Sequence, residues 1–297
     1  MRARDKGSPA YDRNFLLLGP KRNRVLTLDD VERYGVESYG DAHYVSIYGL
    51  RPDAWFAKGV RLLGRTAVEC TRDRLADAIG RDVAAAAHSA PRHDRALVID
   101  PFTGSGNTLY WILRHMPGAR GIGFELDDAV FRLTAGNVAA LELPIEIVQA
   151  EYTAGLRRIR ASDGQMLISF IAPPWGTALD VAAGLDLRRT VPPIIDVVDA
   201  LVDAFPQHSM LCAVQVYERV VPESLRGVES RFAWTRRCLY ELNAAGQNHG
   251  ILLGTRGWVP RDTSACTGCV RRQGIRGLRP DGRDFRTAPH AGPTERA

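Results

Sequence analysis

The chain has 297 residues, 45% of them hydrophobic, which is enough to bury a full core in one large domain with modest extensions. Its formal net charge of +5 rests mostly on arginine, because Lys6, Lys21 and Lys58 are the only lysines, so an anionic partner is permitted but not demanded. No run of about 18 apolar residues and no apolar leader occurs, which argues against a membrane protein and gives the expectation of a soluble, cytoplasmic one. Five scattered cysteines argue against a disulfide framework and fit a reducing compartment. Only Cys266 and Cys269 form a CxxC pair. A tetrahedral zinc site needs two further ligands, for which only His249 or His290 could be considered, so no metal is expected.

Taken in chain order, residues 1–40 are polar and charged around one short apolar run, Phe15 to Leu18, and are expected to form an arm with little structure of its own. Asp53 to Leu63 and Arg72 to Ala87 carry apolar residues at helical spacing, with Thr71 as the N-cap of the second helix. From Ala96 short β-like runs alternate with helical segments, the pattern of a parallel sheet covered on both faces. The expected strands are Leu97 to Asp100, Gly121 to Glu125, Ile145 to Gln149, Met166 to Ile171, Met210 to Val216, Arg236 to Leu242 and Ile251 to Thr255. Helices are expected at Asn107 to His115, Asp127 to Leu141 and Pro192 to Phe205. These readings divide the chain into an arm and helical extension (1–95), an α/β domain (96–259) and a basic, disordered tail (260–297) with eight arginines against four acids.

The first strand runs into Asp100-Pro-Phe-Thr-Gly-Ser-Gly-Asn107, where glycines at the strand-to-helix turn let backbone approach a ligand closely. Asp100, Phe102, Gly104, Gly106 and Asn107 are therefore candidate cofactor contacts. Glu125 closes the next strand at the spacing of an acid that accepts from ribose hydroxyls. A dinucleotide dehydrogenase is a weakened rival, because Leu109 stands where its fingerprint needs a third glycine. Glu151 reads equally as an adenine-end residue of the same pocket and as a solvated loop residue. A second motif, Ala172-Pro-Pro-Trp-Gly176, follows the fourth strand. Its prolines cannot donate, leaving carbonyl acceptors for an amine, and Trp175 offers a face for a planar ring.

The two motifs together resemble those of class I S-adenosylmethionine-dependent amino-methyltransferases, nucleic-acid N6-adenine enzymes among them. The trimethylguanosine synthase-like family of RNA cap guanine-N2 methyltransferases is the nearest likeness, over roughly Thr71 to Phe205. The resemblance implies a Rossmann-like fold with a seven-stranded, mostly parallel sheet, S-adenosyl-L-methionine as cofactor, and methyl transfer to an exocyclic amine of a nucleobase in RNA. It places Gly104 and Gly106 at the methionine part of the cofactor and Glu125 at the ribose. Pro173, Pro174 and Trp175 fall at the target amine, and Thr71 in the segment that closes over the cofactor. Ala172 departs from the family, which carries Asp, Asn or Ser before the prolines.

For the substrate, the extension offers Tyr44, Tyr48, Trp55 and Phe56 beside Lys21, Arg22, Arg24 and Lys58, a mixture suited to single-stranded RNA unless these aromatics serve to pack the extension. The alternatives are a methyltransferase for a small molecule or a protein, and a non-catalytic RNA-binding module of the same fold. The oligomeric state is not legible.

Overall fold

The computed structural model describes residues 11–90, 93–241 and 248–260. Cys266, Cys269, His290 and the arginine-rich tail lie outside the described residues, as does Leu242.

Seven segments pair into one sheet: β1 (Leu97–Asp100), β2 (Arg120–Glu125), β3 (Ile145–Gln149), β4 (Leu167–Ile171), β5 (Met210–Tyr217), β6 (Trp234–Tyr240) and β7 (His249–Arg256). Their order is β3-β2-β1-β4-β5-β7-β6. The first five are parallel, and β7 runs antiparallel to both β5 and β6. β1 is buried along its whole length, as is β4, which is why both read as unbroken apolar runs rather than alternating ones. Ten helices accompany the sheet among the described residues: α1 (Arg13–Leu17), α2 (Leu28–Tyr39), α3 (Pro52–Ala57), α4 (Gly64–Glu69), α5 (Asp73–Ala87), α6 (Asn107–His115), α7 (Asp128–Ala140), α8 (Tyr152–Leu156), α9 (Ile194–Ala204) and α10 (Pro222–Glu229). Leu75, Ile79 and Val83 of α5 and Leu109 and Ile112 of α6 cover one face of the sheet, against Val98, Ile168 and Leu253. Val197 and Leu201 of α9 cover the other, against Ile99, Ile171 and Val214. This is the Rossmann-like arrangement expected from the sequence, a seven-stranded, mostly parallel sheet with helices on both faces.

The N-terminal segment departs from expectation. Residues 28–39 form a helix rather than an arm, because Thr27 and Asp30 make a reciprocal capping box and Gly40, with φ of 73°, ends the helix in the left-handed region. Its few apolar side chains are well spent: Val31 and Tyr34 are buried with Leu16, Trp55 and Leu62 in a separate cluster. The helix expected over Asp53 to Leu63 stops at Ala57, and after the turn at Gly59 the chain starts again at α4. Thr71 is not the cap of α5. Arg72 holds that position and makes no side-chain cap bond.

Two buried asparagines fasten this segment to the sheet domain. Asn137 of α7 accepts from the Arg61 amide at 2.8 Å and donates to the Arg61 carbonyl at 2.9 Å. Asn107 of α6 accepts from the Tyr48 amide at 2.6 Å and donates to the Thr71 carbonyl at 2.7 Å. Asn137 thus mimics a strand partner for Arg61, while Asn107 ties two separate stretches of the extension to α6. Asn137→Ala orphans a donor and an acceptor on Arg61 together, so we expect it to cost about 2–4 kcal/mol. Urea denaturation measures this, and an unchanged midpoint would show the clamp to be dispensable.

Candidate functional site

The sheet reverses direction of growth at β1, which pairs with β2 on one side and β4 on the other. A crevice opens at the carboxyl ends of such strands. The glycine motif leaves β1 there and the proline motif leaves β4 beside it.

The glycine loop is held from within and from below. The Asp100 carboxylate accepts from the Phe102 amide at 3.0 Å, and the Thr103 hydroxyl donates to the Asp100 carbonyl at 3.1 Å. Thr103 also donates its amide to Phe124 of β2 at 2.9 Å. It can lie this close only because residue 123 is glycine: a Cβ there would meet the Thr103 hydroxyl oxygen at 2.1 Å. Gly104 and Gly106 have φ of 51° and 73°, in the region that other residues enter at a cost. Thr134 of α7 donates to the Gly104 carbonyl at 2.6 Å.

Two carboxyl groups converge under this loop. Asp100 is 2% exposed, and burial pushes its pKa up to about 7, with the nearby Glu125 charge adding to the effect and the Phe102 amide opposing it. Glu125 accepts from the Gly104 amide at 3.0 Å through one oxygen and from the Asp127 amide at 2.8 Å through the other. Burial raises its pKa as well, against those backbone bonds. Each carboxylate oxygen has a second lone pair, so Glu125 retains acceptors for a ligand while organising the loop. Leu126, the first residue past the carboxyl end of β2, is 69% exposed, an apolar side chain with a free face. Sequence reading passed over Leu126, since exposure alone distinguishes it from the core leucines.

The remaining expected contacts have other duties. Phe102 is half-buried and packs against Tyr152 with ring centroids 5.4 Å apart. Asn107 is 1% exposed and committed to the Thr71 and Tyr48 backbone. Thr71 therefore adjoins the loop through its carbonyl. Glu151 is the N-cap of α8: one of its oxygens accepts from the amides of Thr153 and Ala154 and from the Thr153 hydroxyl. That accounts for the acid at this position, and its pKa is lowered by these bonds against a desolvation penalty that is the largest single cause.

A lid-like turn completes the loop's surroundings. Ile47 and Leu50 exchange backbone bonds around Tyr48 and Gly49, whose φ values of 57° and 73° describe a tight hairpin with both central residues left-handed. Tyr48 accepts this unfavourable conformation because its hydroxyl donates to the Ser105 carbonyl and its amide donates to Asn107. Of the aromatic residues offered as a recognition surface, Tyr48 and Trp55 are thus core, 3% and 1% exposed, with the Trp55 indole donating to the Val45 carbonyl. Phe56 is half-buried beneath the Arg61 guanidinium. Lys21 is paired with Asp30, and Arg22 donates to the Leu17 carbonyl.

On the other side of the crevice Pro173 is buried, Pro174 exposed and Trp175 half-buried. The Trp175 ring lies parallel to the His249 imidazole, centroids 5.2 Å apart at 13°, and edge-on to Tyr217 at 6.4 Å. One face of Trp175 is therefore occupied by the protein itself. His249 opens β7 opposite Tyr217, so the antiparallel strand delivers it to the same edge as the parallel strands' carboxyl ends. Burial, followed by the positive charge of Arg72, lowers its pKa to about 4, which makes it a neutral imidazole at physiological pH. It serves here as an aromatic wall, and no cluster of three or more His, Cys, Asp or Glu suited to a metal occurs among the described residues. No helix among them is long and apolar enough to cross a membrane.

No family model matches the chain, and no curated protein does. Solved structures match parts of it. An rRNA methylase from Streptococcus thermophilus is 14% identical, over 59% of this chain and 94% of its own, with a TM-score of 0.37. TrmN from Thermus thermophilus is 16% identical over 60% of this chain and 48% of its own, with a TM-score of 0.40. The catalytic domain of human METTL16, in complex with the MAT2A 3′UTR hairpin 6, is 12% identical over 63% of this chain and 72% of its own, with a TM-score of 0.42. At such identities and scores, the chemistry of this chain rests on its own residues.

Proposed function

We propose that the protein is an S-adenosyl-L-methionine-dependent methyltransferase that modifies an exocyclic amine of a nucleobase in RNA. The observation that carries this reading is the pairing, on adjacent parallel strands at the centre of the sheet, of a buried carboxyl group beneath a glycine loop with a Pro-Pro-Trp turn. The residues fit the cofactor. Asp100, desolvated and short of a cation, would receive the α-ammonium group of the methionine part. Gly104 and Gly106 bring backbone amides close without a side chain in the way, Glu125 would accept from the ribose hydroxyls, and Leu126 would cover the adenine. When bound, the sulfonium supplies an electrophilic methyl group.

The chain's own part in the transfer is placement. The Pro173 carbonyl would accept a hydrogen from the target amine, leaving the nitrogen lone pair directed at the methyl, while the free side of Trp175 holds the base. Positioning of this kind can remove about 7–11 kcal/mol of barrier. After transfer, the proton leaves the nitrogen for water. With Ala172 before the prolines, no side-chain carboxylate or amide shares the acceptor role. That absence favours one second reading, a non-catalytic RNA-binding relative that keeps the fold.

Calorimetric titration with S-adenosylmethionine and its demethylated product, followed by methyl transfer to RNA and nucleoside analysis, separates the two. We expect micromolar binding that Gly104→Arg and Glu125→Ala abolish. Trp175→Ala should leave cofactor affinity alone and lower kcat/KM by roughly 5- to 150-fold, the loss of about 1–3 kcal/mol of stacking. Absence of binding to well-folded protein would end the methyltransferase reading, and binding without transfer would establish the non-catalytic one.

A further inference from the structure

Arg72 is the most conspicuous charge at the crevice that the proposed chemistry leaves unused. It follows Thr71, whose carbonyl is held by Asn107 at the end of the glycine loop, and it precedes α5. Its guanidinium carbon sits 3.9 Å from the centre of the Tyr44 ring and 5.6 Å from that of Tyr39. Those two rings are stacked, 3.4 Å apart at 13°, and Tyr34 buttresses both edge-on. Among the described residues no carboxylate forms an ion pair with Arg72. The adjacent Asp73 is occupied by the Gly49 amide and the Trp111 indole. A half-buried guanidinium is thus pinned by aromatic faces, with its planar fork of donors left for something else. Through Thr71 the residue adjoins the end of the glycine loop, where the Asn107 amide holds the preceding carbonyl. Tyr39 remains 43% exposed, with one face covered by Tyr44.

We propose that Arg72 and the Tyr39–Tyr44 pair form a subsite for a nucleotide flanking the target in single-stranded RNA, Arg72 taking the phosphodiester and the open face of Tyr39 taking the base. A guanidinium fork matches two phosphate oxygens at once, and an aromatic face accepts any base. The site resides where the extension meets the end of the glycine loop, since Asn107 holds the Thr71 carbonyl next to Arg72, so a strand entering the crevice could lie across it. The inference rests on the proposed function for the identity of the substrate, but not for the geometry of the cationic site.

The test is binding of a fluorescein-labelled, unstructured octaribonucleotide to the full chain across a salt series, beside cofactor titration of the same samples. Arg72→Gln should weaken RNA binding about 10-fold and reduce the slope of log affinity against log salt by about one, at unchanged cofactor affinity. Arg72→Lys should restore the slope but only part of the affinity, because an ammonium lacks the fork. Tyr39→Ala should weaken binding about 5-fold or more with the slope unchanged. Wild-type affinity and slope in Arg72→Gln would overturn the subsite. So would wild-type protein that binds cofactor but not RNA, including a protein that instead binds an acidic peptide there, and this result would leave the methyltransferase reading standing. Conversely, RNA binding that follows the expected variants in a protein without cofactor affinity would uphold the subsite and remove the enzyme.

Discussion

Asp100→Asn is expected to make the protein more stable and to weaken binding of the proposed cofactor by about two orders of magnitude. The Asp100 carboxyl is buried, its pKa stands at about 7, and desolvation is the main cause. The folded state therefore binds this proton more tightly than the unfolded chain, whose carboxyl titrates at about 3.9. Stability then falls as pH rises from about 4 to about 7 and is level above that, where the full cost of the buried charge is present. Asparagine keeps the oxygen that accepts from the Phe102 amide and removes the charge. Its amide hydrogens lose water too, so the net gain at pH 8 is about 1–2 kcal/mol and vanishes near pH 4. Binding moves the opposite way. Removing the anion from a buried charge pair costs about 3 kcal/mol, or two orders of magnitude in Kd. For the wild type, affinity should decline as pH falls below about 7, because the cation requires the ionised form. Thermal melts at pH 4 and 8 with parallel titrations check all of this, and a variant that melts lower at pH 8 or binds normally would contradict it.

The second large effect is expected from a residue with no ligand contact. Gly123→Ala puts a methyl 2.1 Å from the Thr103 hydroxyl oxygen, 2.8 Å from its methyl and 3.0 Å from its Cβ. Thr103 cannot simply rotate, because its hydroxyl and amide are bonded to Asp100 and Phe124. Either β2 or the loop must shift. Overpacking of this kind costs about 1–3 kcal/mol, and loop displacement should lower cofactor affinity at least tenfold. Thr103→Ala in the same chain removes two of the three colliding atoms and should recover much of the stability. If the single variant binds cofactor like wild type, the contact between β2 and the loop does not govern the site.

What could be read from sequence follows the range of the forces involved. β1 and β4, buried throughout, and the loop between Asp100 and Asn107 announce themselves in consecutive residues. α2 was missed because so few of its residues face the core, although Thr27 and Asp30 already spell a capping box. The helix expected through Leu63 was broken by Gly59, whose φ of 86° no helix tolerates. The asparagine clamps were illegible for another reason: partners 36 and 76 residues apart leave no local trace. The same holds for His249, considered in sequence as a metal ligand, whose place against Trp175 depends on an antiparallel strand that no spacing rule supplies. Arg72 looked like one more residue at a helix start, and only the folded extension surrounds it with tyrosines.

The asparagine clamps also set an order of events during synthesis. Arg61 leaves the ribosome 76 residues ahead of Asn137, an interval of roughly 4–15 s at about 5–20 residues per second. Through that interval the Val31, Tyr34 and Trp55 cluster can assemble, but the chain around Arg61 has neither of its hydrogen-bond partners on α7. The nascent extension must therefore wait, its docking surface open, until α7 has emerged and packed on the sheet.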